Sequence, residues 1–391
     1  MTSPNFSPWP SFTQKEAEAV QRVLLSNKIN YWTGQEGRNF ENEFATFTGS
    51  EHAVAVANGT VALDLSMKVL EIGPGDEVVV TSRTFIASVS SIVTAGASPI
   101  FADLDRDSQN ITAETIKSVL TSRTKAIICV HLAGWPCDMD PIMELAEENG
   151  LYVVEDCAQS HGACYKGRSV GSIGHIGCWS FCQDKIMTTG GEGGMVTTNN
   201  RELWSKMWSY KDHGKSWIAV YECEHPPGFR WLHESFVTNW RMTEMQAAIG
   251  RIQLQRMEQW HQLRLANARL IWKTAKELPG LRVPEIPDSI EHACYKCYLF
   301  VEPAELRAGW SRDRIMQAVN DQGVPCFSGS CSDVYLEKAF DNTGWRPEKR
   351  LPVAKELGET SLMFLVHPTL SEGEIRYTCD VLSRVMMEAA K

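Results

Sequence analysis

The first indication of the fold is the stretch Ser180-Phe181-Cys182-Gln183-Asp184-Lys185-Ile186-Met187-Thr188-Thr189-Gly190-Gly191-Glu192-Gly193-Gly194. It places one lysine, Lys185, five residues after the hydroxyl of Ser180 and shortly before four glycines. Glycines at this density let the backbone adopt positive φ angles and approach a ligand closely. A lysine amine can form a Schiff base with a carbonyl compound. Taken alone, the stretch fits equally well a surface lysine followed by a flexible turn.

A second stretch, Glu155-Asp156-Cys157-Ala158-Gln159-Ser160, follows an apolar run at residues 150–154 that predicts a buried strand. An acid at the carboxyl end of such a strand, as at Asp156, lies where open α/β sheets bind their ligands. A buried carboxylate needs a partner, and the protonated ring nitrogen of pyridoxal 5'-phosphate (PLP) provides one. The alternative for Asp156 is a helix N-cap. The two stretches together predict a PLP site.

Composition narrows the possible partners. The chain has 391 residues, which favours two or three domains. Its net charge of −10 argues against nucleic acid as the principal ligand. The first five residues lack the pattern of a signal peptide, and no apolar run approaches the ~20 residues needed to span a membrane. We therefore expect a cytoplasmic protein with no membrane partner.

Twelve cysteines are scattered along the chain, with one CxxC pair at Cys294 and Cys297. A zinc site would need a second pair or nearby histidine ligands, and the sequence around the pair offers neither. We expect reduced, mostly buried thiols and no metal site.

Strand and helix patterns alternate through the first two thirds of the chain, which predicts βαβ units and a mainly parallel sheet. The turn Asn58-Gly59-Thr60 between a strand and a helix is suited to bind a phosphate, or is simply a capped turn. Phe85, after the strand at 77–81, either stacks on a cofactor ring or packs in the core. A long helix is predicted from Thr243 to about Leu278. The predicted strands of this region are 52–57, 77–81, 99–103 and 126–130, and the predicted helices are 86–96, 112–121 and 139–149.

These motifs resemble those of the DegT-type (StrS-like) nucleotide-sugar aminotransferases, which are fold-type I PLP enzymes. The resemblance extends from about residue 34 to 367. It implies an α/β fold with a large domain, residues 1–250, whose mainly parallel mixed sheet lies between helices, and a smaller C-terminal α+β domain, residues 251–391. Its landmarks, beyond the two stretches above, are Asn58-Gly59-Thr60-Val61-Ala62-Leu63, Gly73-Pro74-Gly75-Asp76-Glu77-Val78, Thr84-Phe85, Phe101-Ala102-Asp103, His131-Leu132-Ala133-Gly134, Asn239-Trp240-Arg241-Met242 and His367-Pro368.

The resemblance also implies roles for individual residues. Lys185 would hold PLP and move protons, Asp156 would pair with the pyridinium, and Gln159 would bond the ring hydroxyl. Phe85 would cover one face of the ring. The phosphate would be held by the turn at Gly59, through the backbone N–H groups of Thr60 and Val61, and by the hydroxyl of Ser180. Asn239 would reach the phosphate of the neighbouring subunit, so a homodimer is expected.

The implied reaction is transfer of an amino group from L-glutamate to the keto carbon, C4 first, of a nucleotide-linked 4-keto-6-deoxy sugar. The closest resemblance is to enzymes that aminate dTDP-4-keto-6-deoxyglucose to dTDP-viosamine, for surface polysaccharides such as lipopolysaccharide O-antigen. GDP- and UDP-linked sugars and 3-keto sugars stay open. Asn58, Trp135 and Trp240 depart from the usual family pattern, which leaves the sugar contacts unassigned.

Two rival functions share this pattern. A sugar dehydratase of the same family resembles enzymes with histidine in place of Lys185, so the lysine argues against it. A non-catalytic regulatory protein on the same fold is not expected to keep Lys185, Asp156, Gln159 and Ser180 together.

Overall fold

The computed structural model describes residues 5–391, so residues 1–4, on which much of the signal-peptide expectation rests, lie outside it. The helices are α1 (Gln14–Ser26), α2 (Glu36–Thr48), α3 (Gly59–Val69), α4 (Ala87–Ala95), α5 (Ala113–Lys117), α6 (Met139–Asn149), α7 (Arg201–Tyr210), α8 (Trp217–Tyr221), α9 (Glu244–Leu254), α10 (Met257–Lys276), α11 (Arg312–Asp321), α12 (Pro352–Thr360) and α13 (Glu372–Ala389). The strands are β1 (His52–Val56), β2 (Glu77–Thr81), β3 (Ser98–Ala102), β4 (Thr124–Val130), β5 (Tyr152–Asp156), β6 (Cys164–Tyr165), β7 (Arg168–Ser169), β8 (Ile176–Ser180), β9 (Gly194–Thr198), β10 (Leu281–Arg282), β11 (Ile290–Glu291), β12 (Cys297–Val301), β13 (Cys326–Phe327) and β14 (Ser361–Phe364).

The main sheet has seven strands in the order β1-β9-β8-β5-β4-β2-β3. β9 runs antiparallel to both of its neighbours, and the remaining pairs are parallel. Both faces are buried: Val78 and Ile128 belong to one apolar cluster, whereas their neighbours Val79 and Ile127 belong to another. Parallel strands covered by helices on both faces have this near-continuous apolar character. The predicted α/β fold with a mainly parallel mixed sheet is confirmed.

The connection between β8 and β9 carries Lys185. Its two ends are held together by backbone hydrogen bonds, from Phe181 N to the Gly193 carbonyl at 2.8 Å and from Gln183 N to the Gly191 carbonyl at 3.0 Å. A Cβ at Gly193 would lie 2.0 Å from the Thr189 hydroxyl oxygen, so only glycine fits there. The glycine-rich stretch therefore folds back on itself and holds the lysine at the edge of the sheet.

A second sheet of four antiparallel strands, β10-β12-β14-β13, lies in the C-terminal part of the chain. Leu299 and Phe364 of this sheet pack in one apolar cluster with Ile271 of α10 and Val385 of α13. α9, by contrast, packs against α1 and α2. Because the packing partners change between α9 and α10, we propose that the large and small domains divide near residue 250.

The prediction of a single helix from Thr243 to Leu278 is wrong. The structure has two helices: α9 ends before Gln255, and α10 begins after Arg256. No glycine or proline marks this break, so the sequence pattern does not reveal it. Arg256 instead binds the N-terminal helix, with its Nη1 2.8 Å from the Glu16 carboxylate. Tertiary contacts with the start of the chain accompany the interruption.

Two further sequence expectations concern the thiols and membrane spans. All twelve cysteines are free, and eight of them are buried, as expected. Within residues 5–391, none of the helices combines the length and the apolar character that a bilayer crossing requires.

Candidate active site

A cavity of about 1110 Å³ opens at the carboxyl ends of β2, β5 and β8. Known small-molecule sites measure roughly 300–1,000 Å³, so this one has room for a cofactor together with a second ligand. All but one of the predicted site residues line it: Gly59, Thr60, Val61, Phe85, Asp156, Gln159, Ser180 and Lys185. Asn239 does not.

At the start of α3, two backbone N–H donors at the cavity have no hydrogen-bond partner within residues 5–391. Gly59 and Thr60 are its first two residues, and N–H groups at this position have no partner inside the helix. The N–H of Val61, the other donor expected for the phosphate, is donated to the Asn58 side-chain oxygen at 2.9 Å. A Cβ at Gly59 would lie 2.6 Å from Ser180 Cβ, so glycine brings the helix end close to the serine. The free donors for an anion are therefore those of Gly59 and Thr60.

The carboxylate of Asp156 ends β5 and is held in one orientation. Ser88 donates to its Oδ2 at 2.7 Å, and the Ala158 N–H donates to its Oδ1 at 3.1 Å. The Thr84 and Ser88 hydroxyls lie 2.8 Å apart, which extends the network. Sequence reasoning missed Ser88, which lies in the first turn of α4 and reaches Asp156 from a different strand–helix unit.

The side-chain amide of Gln159 is oriented by a backbone contact. Its Oε1 accepts a hydrogen bond from the Ala133 N–H at 2.8 Å. With the oxygen used in this way, the amide group has its two N–H donors left for the cavity that Gln159 lines. This orientation suits an acceptor such as an ionised ring hydroxyl.

Lys185 is fixed at its backbone while its amine faces other polar groups. Trp9 Nε1 donates to the Lys185 carbonyl at 2.9 Å. The amine, Nζ, lies 3.9 Å from Asp184 Oδ1 and 5.5 Å from the centre of the Tyr295 ring. The lysine side chain is 17% exposed, so it opens to the cavity without being free in solvent.

Asp184 and Tyr295 form a pair beside the lysine that the sequence analysis did not identify. The Tyr295 hydroxyl donates to Asp184 Oδ2. Burial alone would raise the pKa of the Asp184 carboxyl, but the charge of Lys185 and the tyrosine hydroxyl outweigh it and keep the pKa below its ordinary value. Burial raises the pKa of Tyr295, so its hydroxyl remains protonated and donates. The carboxylate next to Lys185 is thus ionised.

A buried hydrogen-bond network surrounds Glu155, the residue before Asp156 at the end of β5. His131 Nδ1 accepts from the Cys137 N–H at 3.0 Å, so Nε2 carries the proton and donates to Glu155 at 2.9 Å. Three backbone N–H groups within residues 171–174 also donate to Glu155. Burial would raise the pKa of this carboxyl, but the His131 bond and these donors keep it below its ordinary value. Although Cys157 lies near enough to complete a metal-ligand trio, hydrogen bonds already occupy the histidine and the carboxylate.

Phe85 and Asn239 lie at the surface of the single chain. Phe85 is on the cavity rim with 68% of its surface exposed. Asn239 is exposed outside the cavity, next to Asp212, with its Oδ1 accepting from the Arg241 N–H at 3.3 Å. One chain alone therefore brings Phe85, but not Asn239, to the site.

The groups that converge in the cavity fit PLP. Two free N–H donors and a serine hydroxyl suit a phosphate, as helix N-termini do. A held carboxylate suits a protonated pyridine nitrogen, and an amide donor suits the ring oxygen. The amine of Lys185 suits an aldehyde carbon. The close approach of Gly59 to Ser180 leaves no space for a side chain at residue 59 and brings the helix end beside the serine hydroxyl.

The chain matches the DegT/DnrJ/EryC1/StrS aminotransferase family over residues 10–383. The chain belongs to this family. It is 34% identical over 378 residues to GDP-perosamine synthase of Escherichia coli O157:H7, with 96% of each chain covered. It is 36% identical over 364 residues to the UDP-N-acetyl-3-dehydro-alpha-D-glucosamine 3-aminotransferase of Acidithiobacillus ferrooxidans, with 93% of this chain and 92% of the relative covered.

The X-ray structure of an aminotransferase from Psychrobacter cryohalolentis aligns with a TM-score of 0.96 at 64% identity, covering 98% of this chain and 99% of the other. The family resemblance inferred from the motifs is therefore confirmed. As a member of the DegT/DnrJ/EryC1/StrS family, the protein is a PLP-dependent aminotransferase of nucleotide sugars.

Proposed function

We propose that this enzyme transfers the amino group of L-glutamate to C4 of dTDP-4-keto-6-deoxyglucose. One observation carries the proposal: Lys185, Asp156, Gln159 and Ser180 line one cavity that continues well beyond them. GDP- and UDP-linked 4-keto sugars, or a 3-keto sugar, are the second candidates, because relatives of this chain carry the names of GDP- and UDP-sugar enzymes.

The space for the sugar nucleotide is the part of the cavity nearest the C-terminal sheet. Its wall is built from residues 327–337 and 363–365, which include Phe327, Ser330, Glu337 and Met363. This wall faces the cofactor residues across the cavity and mixes apolar and polar groups. Such a mixture suits a sugar, which has an apolar ring face and a polar edge.

Within the proposal, Lys185 moves the proton. When bound, PLP supplies the electron-withdrawing ring that makes a neighbouring C–H acidic. Lys185 Nζ would take that proton from one carbon and return it at another. Asp156 would hold the ring nitrogen through its negative charge, and Asp184 with Tyr295 would orient the lysine amine.

The substrate is tested by following the cofactor absorbance of the purified protein. L-glutamate is expected to bleach the band of the lysine-bound cofactor, and dTDP-4-keto-6-deoxyglucose is expected to restore it. GDP- and UDP-linked keto sugars are added in parallel at the same concentration. Restoration by a GDP or UDP sugar alone would replace the proposed nucleotide, and restoration by none of them would contradict the proposed substrate class.

The active unit is proposed to be a homodimer in which Asn239 of one chain contacts the cofactor phosphate in the other. Support comes from the position of Asn239, exposed and outside the cavity of its own chain. The segment before Asn239 also has aromatic side chains that are exposed to solvent: Phe229 is 75% and Trp231 is 84% exposed. Exposed apolar surface of this kind marks an interaction site.

Subunit complementation tests the shared site. We expect the variants Lys185→Ala and Asn239→Ala each to be weakly active or inactive alone. Mixed dimers would contain one intact site, so random mixing should restore about a quarter of the wild-type activity. If Asn239 acted within its own chain, the mixture would be no more active than the average of the two variants.

We further propose that the product is an activated building block for surface polysaccharide, such as lipopolysaccharide O-antigen, made in the cytoplasm. A nucleotide-linked amino sugar is the chemical form in which glycan assembly takes up its units. Deletion of the gene should remove the amino sugar from the surface polysaccharide, and an unchanged sugar composition would contradict this.

A further inference from the structure

A second lysine, Lys296, lies on the cavity wall together with Lys185. Both amines face the ring of Tyr295, with Lys296 Nζ 4.7 Å and Lys185 Nζ 5.5 Å from its centre. Asp184, the carboxylate at this end of the cavity, is engaged by Lys185 and by the Tyr295 hydroxyl. Within residues 5–391, Lys296 makes neither a salt bridge nor a side-chain hydrogen bond.

The surroundings of Lys296 carry more positive than negative charge. Arg264 is fully buried behind Tyr295, and its guanidinium lies over the Trp9 ring at 4.9 Å. Arg264 Nη1 makes a 3.4 Å contact with the Tyr295 carbonyl, whereas Nε and Nη2 have no hydrogen-bond partner among the described residues. Burial, followed by the charge of Arg264, lowers the pKa of Lys296 to about 8. Lys185 and Lys296 thus share the Asp184 carboxylate, and Arg264 adds a further positive charge beside Lys296, so an anion from outside the chain would balance them.

The chemistry of the two substrates indicates which anion this is. An amino-acid donor bears a carboxylate on the same carbon that bears its amine, so this carboxylate must lie near Lys185 during transfer. A nucleotide-linked keto sugar bears its charges on the diphosphate, across the sugar ring from C4. The cofactor phosphate is accounted for separately by Gly59, Thr60 and Ser180.

We propose that Lys296 binds the α-carboxylate of the amino donor. This inference rests on the proposed use of L-glutamate. Lys296 then acts in the half of the reaction that consumes the amino acid and contributes little to the half that consumes the sugar. The ammonium offers three donors on a flexible stem, which suits a carboxylate that enters and leaves in every cycle.

The test measures the two halves of the reaction separately in Lys296→Met, which keeps the length of the side chain and removes its charge. The glutamate concentration that half-converts the cofactor is expected to rise about 10- to 100-fold, as for loss of a charged hydrogen bond. The keto-sugar concentration that half-restores the lysine-bound cofactor should change less than about threefold. Lys296→Arg should recover much of the glutamate response. Lys273→Met, at an exposed position of α10, is the matched control.

A binding measurement supplies a readout that needs no turnover. Calorimetric titration of the holoenzyme with glutarate, a dicarboxylate that cannot react, should show a similar loss of affinity in Lys296→Met. Unchanged affinity for glutarate and glutamate, or an equal loss of both half-reactions, would overturn the proposal. If wild-type enzyme reacts with another amino acid instead of glutamate, the proposed donor is wrong, and the same comparison with that amino acid decides the role of Lys296.

Discussion

Lys185→Ala is expected to lower turnover by at least about 10⁴-fold, because it removes both the attachment point of the cofactor and the proton-transfer group. Asp184 is ionised and bound to Tyr295, and Lys296 occupies a separate position against the same ring. The phosphate donors at α3 are untouched, so the variant should still bind PLP, without the absorbance band of the lysine-bound form.

The control for this variant is Lys273→Met, an exposed lysine of α10 whose loss should leave both absorbance and turnover unchanged. Cofactor content and thermal unfolding should match the wild type in both proteins. Turnover of Lys185→Ala within tenfold of the wild type would contradict the assignment of the proton-transfer role.

Asp156→Asn is expected to reduce kcat/KM by about 100- to 1,000-fold, the size of effect seen when one preorganised electrostatic group is removed. The asparagine keeps the shape of the side chain and can keep the contacts to Ser88 and Ala158. What it loses is the negative charge that holds the cofactor ring nitrogen in its protonated form. PLP should therefore remain bound while the chemistry slows.

Ser88→Ala provides the graded comparison for this prediction. It leaves the charge of Asp156 in place and removes the 2.7 Å hydrogen bond that orients it. A loss of about tenfold is expected, in line with one hydrogen bond to a charged group. If Asp156→Asn lost no more activity than Ser88→Ala, the negative charge of Asp156 would not be what this residue contributes to catalysis.

The residues that the sequence identified are those tied to local pattern. Lys185 is embedded in glycines, Asp156 ends an apolar strand, and Gly59 follows a strand and begins a helix. Each signal lies within a few residues of the group concerned, and the cavity brings these groups together.

The residues that the sequence did not identify depend on contacts between distant parts of the chain. Tyr295 and Lys296 reach Lys185 from the C-terminal part of the chain, and no periodicity marks them. Ser88 acts through Asp156, from a different strand–helix unit. At Val61 the competing contact is local, because the side chain of Asn58, which caps α3, accepts its N–H.

The direction of the strands in the main sheet is a further feature that the sequence pattern reveals only in part. Alternating strands and helices predict a mainly parallel sheet, but the sequence pattern does not mark β8 and β9, which flank the lysine stretch, or the antiparallel direction of β9. Strand direction there follows from the closed connection between Phe181 and Gly193, which brings the chain straight back beside β8. Antiparallel neighbours are joined by a chain that turns back at the same end of the sheet, whereas parallel neighbours need a connection that crosses to the opposite end.

The attachment of the cofactor to Lys185 is tested most directly by treating the holoenzyme with borohydride, which makes the link permanent, and mapping the modified peptide by mass spectrometry. We expect a single modified residue, Lys185, and no modification in the Lys185→Ala variant. Modification of Lys296 or another lysine in the wild-type enzyme, or none at all, would contradict it.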